Sequence, residues 1–136
     1  MRQFDVTTAF LNGTTNEKVY IHPPRGLDVG PNIALKLMKG LYGLKQSPRV
    51  WSNEFRETVE KLGFRAAFSD NCVFKHQVKS IHLCVYVNDG IVIASDETET
   101  EDLISKLKES YDMREATNIS FVGHEFVKSS SSFIIH

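Results

Sequence analysis

Two aspartates sit among strand-forming residues. Asp5 lies inside Gln3-Phe4-Asp5-Val6, and Asp89 separates the apolar runs Ile81-His82-Leu83-Cys84-Val85-Tyr86-Val87 and Gly90-Ile91-Val92-Ile93-Ala94. A carboxylate within an apolar strand costs free energy unless something pairs with it. If the first strand lies beside the later pair, the carboxylates of Asp5 and Asp89 converge and can share a hard divalent cation through oxygen ligands. A plainer reading stands beside this one. Asn88-Asp89-Gly90 is turn chemistry able to supply positive φ without strain, and such a turn joins two strands whether or not it binds anything. Both readings predict a tight β-hairpin over residues 81–94.

Other chemistries fit less well. Cys72, His76, His82 and Cys84 could be written as a zinc pattern, but the Cys-x-x-x-His and His-x-Cys spacings are not those of a knuckle or ribbon. No Ser or Cys stands in an elbow motif with a plausible base. The two cysteines each fall in an apolar, strand-like run, which suits buried thiols in a reducing compartment.

The elements that must position these residues follow from periodicity. Arg2 to Val6 reads as a strand, Thr7 to Asn12 as a turn or helical turn closed by Gly13, and Glu17 to His22 as a short strand ended by Pro23-Pro24. Arg25 to Asn32 is loop, and Ile33 to Met38 alternates as a half-buried strand. Gly40 to Ser47 leads into a helix with Ser47 as N-cap and Pro48 in its first turn. Trp51, Phe55, Val59 and Leu62 give that helix one apolar face, and Gly63 stops it. A strand through Cys72-Val73-Phe74 pairs with Ile81 to Val87 around a polar loop. Asp96 and Glu99 have capping-box spacing for a second helix, which runs to about Tyr111 with Leu103, Ile104, Leu107 and Tyr111 inward. Ile119 to Lys128 reads as a further strand, Ser129 to Ser132 as a turn, and Phe133 to His136 as the start of a returning strand. The order is close to β-β-α-β-β-α-β-β, an α+β fold with an antiparallel sheet and two helices packed on one face, of ferredoxin-like type.

Composition sets outer bounds. With 136 residues, 41% hydrophobic and 24% charged, the chain has the size and balance of one globular domain that buries roughly two thirds of its unfolded surface. No apolar run approaches the roughly 20 residues of a membrane span, and Met1 leads into a strand rather than a signal peptide. The expectation is a cytoplasmic or nuclear protein, not secreted and without a membrane partner. Net charge is -1, yet no acid occurs from Val29 to Asn53, where Lys36, Lys39, Lys45 and Arg49 fall. That distribution suggests a basic face, or solubilising lysines on an exposed edge and helix start.

Three boxes then carry a resemblance. Tyr86-Val87-Asn88-Asp89 is similar to the Tyr-x-Asp-Asp box of reverse transcriptases. Phe4-Asp5-Val6-Thr7-Thr8-Ala9-Phe10-Leu11-Asn12-Gly13 resembles the opening of the palm in copia-type retrotransposon polymerases. Leu41-Tyr42-Gly43-Leu44-Lys45-Gln46-Ser47-Pro48-Arg49-Val50-Trp51 resembles that family's Leu-Tyr-Gly-Leu-Lys-Gln-Ala-Pro-Arg-x-Trp. The boxes keep family order and spacing, and similarity continues through Gly63-Phe64, Asp70 and Phe121-Val122-Gly123. One departure stands out: the family has Asp where this chain has Asn88.

The resemblance implies a ferredoxin-like polymerase palm over residues 1–136, with the fingers region before it and the thumb and ribonuclease H regions after it absent. It implies RNA-directed DNA polymerisation, that is, nucleotidyl transfer to a primer 3′-hydroxyl with two Mg²⁺ or Mn²⁺ ions about 4 Å apart. The matching catalytic positions are Asp5, Asn88 and Asp89, with Asp5, Asp89 and the Val6 carbonyl on the metal. By the same resemblance Phe10 is a steric gate beneath the incoming sugar, although its sequence context alone favours a core aromatic. Tyr42 and Gly43 line the nucleotide pocket, and Lys45, Ser47, Pro48 and Arg49 lie near the template. The implied partners are an RNA or DNA template with primer, deoxynucleotides, and the remaining regions of a polyprotein. Asn88 supplies an oxygen but no charge, so the expectation is weakened metal binding and a chain inactive in isolation. A non-catalytic retrotransposon remnant, serving as a weak RNA-binding or protein-interaction module, is the competing expectation.

Overall fold

Alternation along the strands sorts side chains onto two faces of one antiparallel sheet, and that sorting places everything else. The computed structural model describes residues 1–129 and 133–135. Its main sheet contains β1 (Arg2–Val6), β4 (Phe64–Ala66), β5 (Val73–His76), β6 (Ile81–Tyr86), β7 (Asp89–Ala94) and β8 (Met113–Glu115), in the spatial order β4-β5-β6-β7-β1-β8. Every neighbouring pair is antiparallel. A two-stranded ribbon joins β2 (Tyr20–Ile21) to β3 (Leu35–Lys36), and a separate sheet orders β11 (Phe133–Ile135), β10 (His124–Lys128) and β9 (Ile119–Phe121).

One sheet face is apolar and covered by helices α1 (Ser47–Lys61) and α2 (Glu97–Ser110). Phe4, Val6, Leu83, Val85 and Val92 from the strands form one cluster with Trp51, Phe55 and Val59 of α1 and Leu103, Ile104 and Leu107 of α2. Each such side chain contributes about 1.5–3 kcal/mol by leaving water. Tyr111 closes the cluster, with its ring 5.2 Å from that of Trp51 and its hydroxyl 2.7 Å from Thr58 Oγ1. On the same face Arg2 reaches Glu97 and Glu101 of α2 and Glu115 of β8, at 3.3, 2.7 and 3.1 Å. Those acids raise the Arg2 pKa further, Glu115 contributing most.

The helix boundaries agree with the sequence reading within a residue, but the capping chemistry differs. Asp96 caps α2 by accepting from the Thr98 amide at 2.9 Å, whereas Glu99 lies toward Lys79 at 3.8 Å. The N-cap of α1 is Gln46 rather than Ser47. Ser47 is fully buried, and its hydroxyl accepts from the Leu41 amide at 2.9 Å and donates to the Leu41 carbonyl at 2.7 Å. It therefore ties the preceding loop to the helix.

Several strands also depart from expectation. The segments Glu17 to His22 and Ile33 to Met38 pair over only two residues each, leaving Ile33 and Met38 exposed, because no second layer lies on that ribbon to reward a longer ladder. Ile119 to Lys128 is two strands, β9 and β10, folded at Val122 and Gly123, which have φ 51° and 80°. β8 was not foreseen, since Met-Arg-Glu buries only Met113. Cys72 is exposed and Cys84 half-buried, so the cysteines are not the buried pair expected; Cys72 precedes β5 instead of sitting within it. The expected serine turn falls largely outside the described residues. Among the described residues, no helix is long and apolar enough to cross a membrane.

Candidate active site

The face opposite the helices carries the acids. Asp5 of β1 and Asp89 of β7 are direct cross-strand partners, so their side chains rise side by side from the same face. Desolvation pushes the Asp89 carboxyl above its ordinary pKa, and the negative field of Asp5 adds to the rise. Asn88 donates from Nδ2 to Asp5 Oδ2, and its backbone carbonyl accepts from the Val6 amide at 2.8 Å. Residue 88 thus presents a donor to Asp5. In this arrangement one oxygen of the Asp5 carboxylate is occupied by the protein itself.

The hairpin does not turn where the glycine suggested. Tyr86 pairs with Asp89, which makes Val87 and Asn88 the two loop residues and puts Asp89 and Gly90 in β7. The positive φ falls on Val87, at 56°, an unfavourable conformation for a β-branched residue. Trp51 of α1 fixes it, donating from Nε1 to the Val87 carbonyl at 2.6 Å. Gly90 is needed for a different reason. A Cβ there would fall within the ring of Phe4, its cross-strand partner on the helix face. The glycine lets Phe4 lie flat across β7 and so brings β1 into register with the hairpin.

The row extends beyond the two acids. Tyr86, Asp89, Asp5 and Arg114 are successive partners across β6, β7, β1 and β8. Arg114 is exposed and has no ion pair among the described residues, while its neighbour Glu115 is engaged by Arg2 and Lys108. Sequence reasoning missed Arg114 because it missed β8. Only the strand register reveals that a cation flanks the acids.

The other expected site residues divide between two places. Phe10, half-buried within the 3-10 turn Ala9–Leu11, lies with its ring 4.6 Å from that of Tyr42. Gly43 follows with φ 92°, so the aromatic pair and the flexible residue are adjacent. Phe10 also lines an apolar cavity of about 200 Å³ with Trp51, Phe55, Phe74, Val85 and Val87, beneath the hairpin tip. Lys45, Pro48 and Arg49 are exposed at the start of α1, and Ser47 is buried among them. Lys45 and Arg49 line a polar groove of about 600 Å³ together with Glu17, Glu54 and Glu57. The stretch without acids in sequence is thus supplied with acids in space.

The donor set suits a hard divalent cation in kind, having two carboxylates on adjacent strands. It is short in number: among the described residues no group of three or more His, Cys, Asp or Glu side chains converges on one point.

An antiparallel α+β domain with paired aspartates at a hairpin defines a class of fold and site, and the comparisons give it a family. The sequence profile described as "Reverse transcriptase (RNA-dependent DNA polymerase)" matches residues 1–136, and the chain belongs to that family. The chain is 37% identical over 125 residues to the retrovirus-related Pol polyprotein from transposon RE1 of Arabidopsis thaliana, covering 89% of this chain and 8% of that protein. It is 34% identical over 120 residues to the Pol polyprotein from transposon TNT 1-94 of Nicotiana tabacum, covering 85% of this chain and 9% of the relative. A putative Ty5-1 transposon protein of Saccharomyces cerevisiae is 30% identical over 135 residues, covering 96% of this chain and 44% of that protein. The copia-type resemblance is borne out. The chain spans less than half the length of each of these relatives. No solved structure gives a significant match.

Proposed function

We propose that residues 1–136 form the palm portion of a copia-type RNA-directed DNA polymerase whose metal site Asn88 has weakened. The observation that carries this reading is the direct pairing of Asp5 with Asp89, together with the amide of Asn88 on Asp5. The topology supports it: β1, α1, β6, β7, α2 and β8 follow one another with the spatial order β8-β1-β7-β6, the ferredoxin-like arrangement, to which β4 and β5 add an edge.

Asp5 and Asp89, with the Val6 carbonyl, would hold Mg²⁺ or Mn²⁺. Bound there, the ions supply activation of a primer 3′-hydroxyl and neutralisation of the triphosphate. The chain's own residues do the rest. Phe10 and Tyr42 form a wall beside which a nucleotide sugar fits, and Gly43 allows its backbone close approach. Lys45 and Arg49 neutralise template phosphates, while the buried Ser47 and the exposed Pro48 hold the loop and helix start that present them. The partners are primer, template and deoxynucleotides, together with fingers and thumb regions of a larger polyprotein, in the cytoplasm or nucleus. With one carboxylate fewer, metal affinity and polymerisation fall by orders of magnitude.

The Asn88–Asp5 hydrogen bond also favours a second reading, a non-catalytic remnant, because it occupies one Asp5 oxygen without a cation. Paramagnetic broadening separates the two. On stepwise addition of Mn²⁺, the amide signals of residues 4–6 and 87–90 should disappear first if the acids retain a weak site. Broadening confined to the acidic start of α2 would contradict the metal reading.

A further inference from the structure

The first turn of α1 grips two distant segments at once. Ser47 and Trp51 stand four residues apart, so they share one face of the helix, and both are buried. The Ser47 hydroxyl is bonded to the amide and the carbonyl of Leu41, at the head of the loop that carries Tyr42, Gly43 and Lys45. Trp51 Nε1 donates to the Val87 carbonyl at 2.6 Å, at the tip of the hairpin that carries Asn88 and Asp89. One helical turn thus links that loop to the tip beside the acids.

The tip needs such a grip. Val87 has φ 56°, which its branched side chain opposes, and it is one of only two loop residues, so any relaxation of Val87 swings Asn88. Asn88 is itself fastened to β1 twice, by its carbonyl on the Val6 amide at 2.8 Å and by its side-chain amide on Asp5. The indole is the bond that reaches the tip from the helix layer. It is costly to break from either end, because Trp51 is buried and its N–H would be left without an acceptor. Packing alone does not call for that donor. The contacts of Trp51 with Phe55 and Tyr111 are ring against ring, at 5.4 and 5.2 Å, and a phenylalanine ring could supply contacts of the same kind.

From this we infer that Trp51 is a positioning residue for the acid pair. Its indole N–H holds Val87 at positive φ and so sets where residue 88 and Asp89 stand relative to Asp5. Trp51 acts through the Val87 backbone and touches neither carboxylate. The inference rests on the proposed function for its consequence, the strength of a metal site at Asp5 and Asp89. The placement of Asn88 on β1 can be measured without any metal.

The test is amide hydrogen exchange by NMR on the full chain, W51F, V87G, W51F/V87G and Y111F. W51F removes the donor and keeps an aromatic ring, and V87G removes the steric objection to positive φ. Y111F deletes a different bond to α1, that with Thr58, and so controls for lost stability. The reporter is the Val6 amide, whose acceptor is the Asn88 carbonyl, read against amides of the β5–β6 ladder. W51F should speed Val6 exchange on the order of tenfold relative to those amides, and Y111F should not. W51F/V87G should return Val6 to the rate of V87G alone. Mn²⁺ affinity in the N88D background should follow the same pattern, falling with W51F and recovering when V87G is added. No relative change at Val6 in W51F would overturn the inference. So would a change that V87G does not reverse, since lost ring volume would then explain it. Mn²⁺ affinity of N88D unmoved by W51F would also overturn it, and would leave the metal site standing. If N88D binds no Mn²⁺, the metal reading fails, and the exchange result by itself upholds or overturns the positioning by Trp51.

Discussion

The two faces of the main sheet are built from alternate residues of the same strands, yet they obey different rules. On the helix face, Phe4 lies across Gly90, and the rings of Trp51, Phe55 and Tyr111 pack against one another. Its stability comes mainly from burial, with the ion pairs of Arg2 and Glu115 beside the apolar cluster. On the opposite face, two carboxylates stand together, one desolvated and one bonded to an amide, with an exposed arginine beyond them that has no ion pair among the described residues. That face holds two like charges side by side, which disfavours the sheet. A strand residue's surroundings are thus fixed by its parity: Phe4 is buried against the helices, and Asp5, one step on, stands beside Asp89 on the other face.

The comparison breaks most visibly at Phe4. Phe4→Ala removes a fully buried ring and leaves a cavity above Gly90, and should cost about 3–5 kcal/mol in urea unfolding. The loss should be the same with and without Mn²⁺. A loss that depended on the ion would mean that the two faces are not energetically separate.

A smaller effect sharpens the contrast through pH. Glu115, on the helix face, is held below its ordinary pKa of 4.5, first by its hydrogen bond with Lys108 and then by Arg2. An acid lowered in this way contributes stability at neutral pH that is lost as pH falls through its folded-state value. Asp89 has the opposite sign. Its raised pKa means that the folded state binds the proton more readily than the unfolded chain, so its contribution is present at acid pH and lost as pH rises above 3.8 through the folded value. Below pH 5, Glu115→Gln should therefore lose stability less steeply than the parent chain, and Asp89→Asn more steeply. Urea midpoints measured from pH 5 to pH 3 check both signs, and parallel slopes for the two variants would contradict the assignment.

Legibility in the sequence followed the same division. The helix face could be read because Trp51, Phe55 and Val59 repeat at helical spacing and Asp96 marks a start. The acid pair could be read because an aspartate inside Phe4-Asp5-Val6 is anomalous without a partner. What escaped were features set by contacts between distant segments. Gly90 looked like a turn residue because sequence cannot distinguish a glycine needed for positive φ from one needed for close approach. The strained residue is Val87, whose conformation depends on Trp51, far away in the chain. β8 is too short and polar to show a period, and with it went Arg114. Ser47 resembled an N-cap by type, but the turn of the preceding loop directs its hydroxyl to Leu41.

The central claim is that Asp5, residue 88 and Asp89 constitute one metal site that Asn88 has weakened. The most direct measurement is calorimetric titration of Mn²⁺ into the parent chain, the Asn88→Asp variant and the Asn88→Asp, Asp5→Ala double variant, at one pH and ionic strength. The account predicts at least tenfold tighter binding in Asn88→Asp, equivalent to about 1.4 kcal/mol or more, and loss of that gain in the double variant. Equal binding by all three proteins, or a gain that survives removal of Asp5, would contradict it.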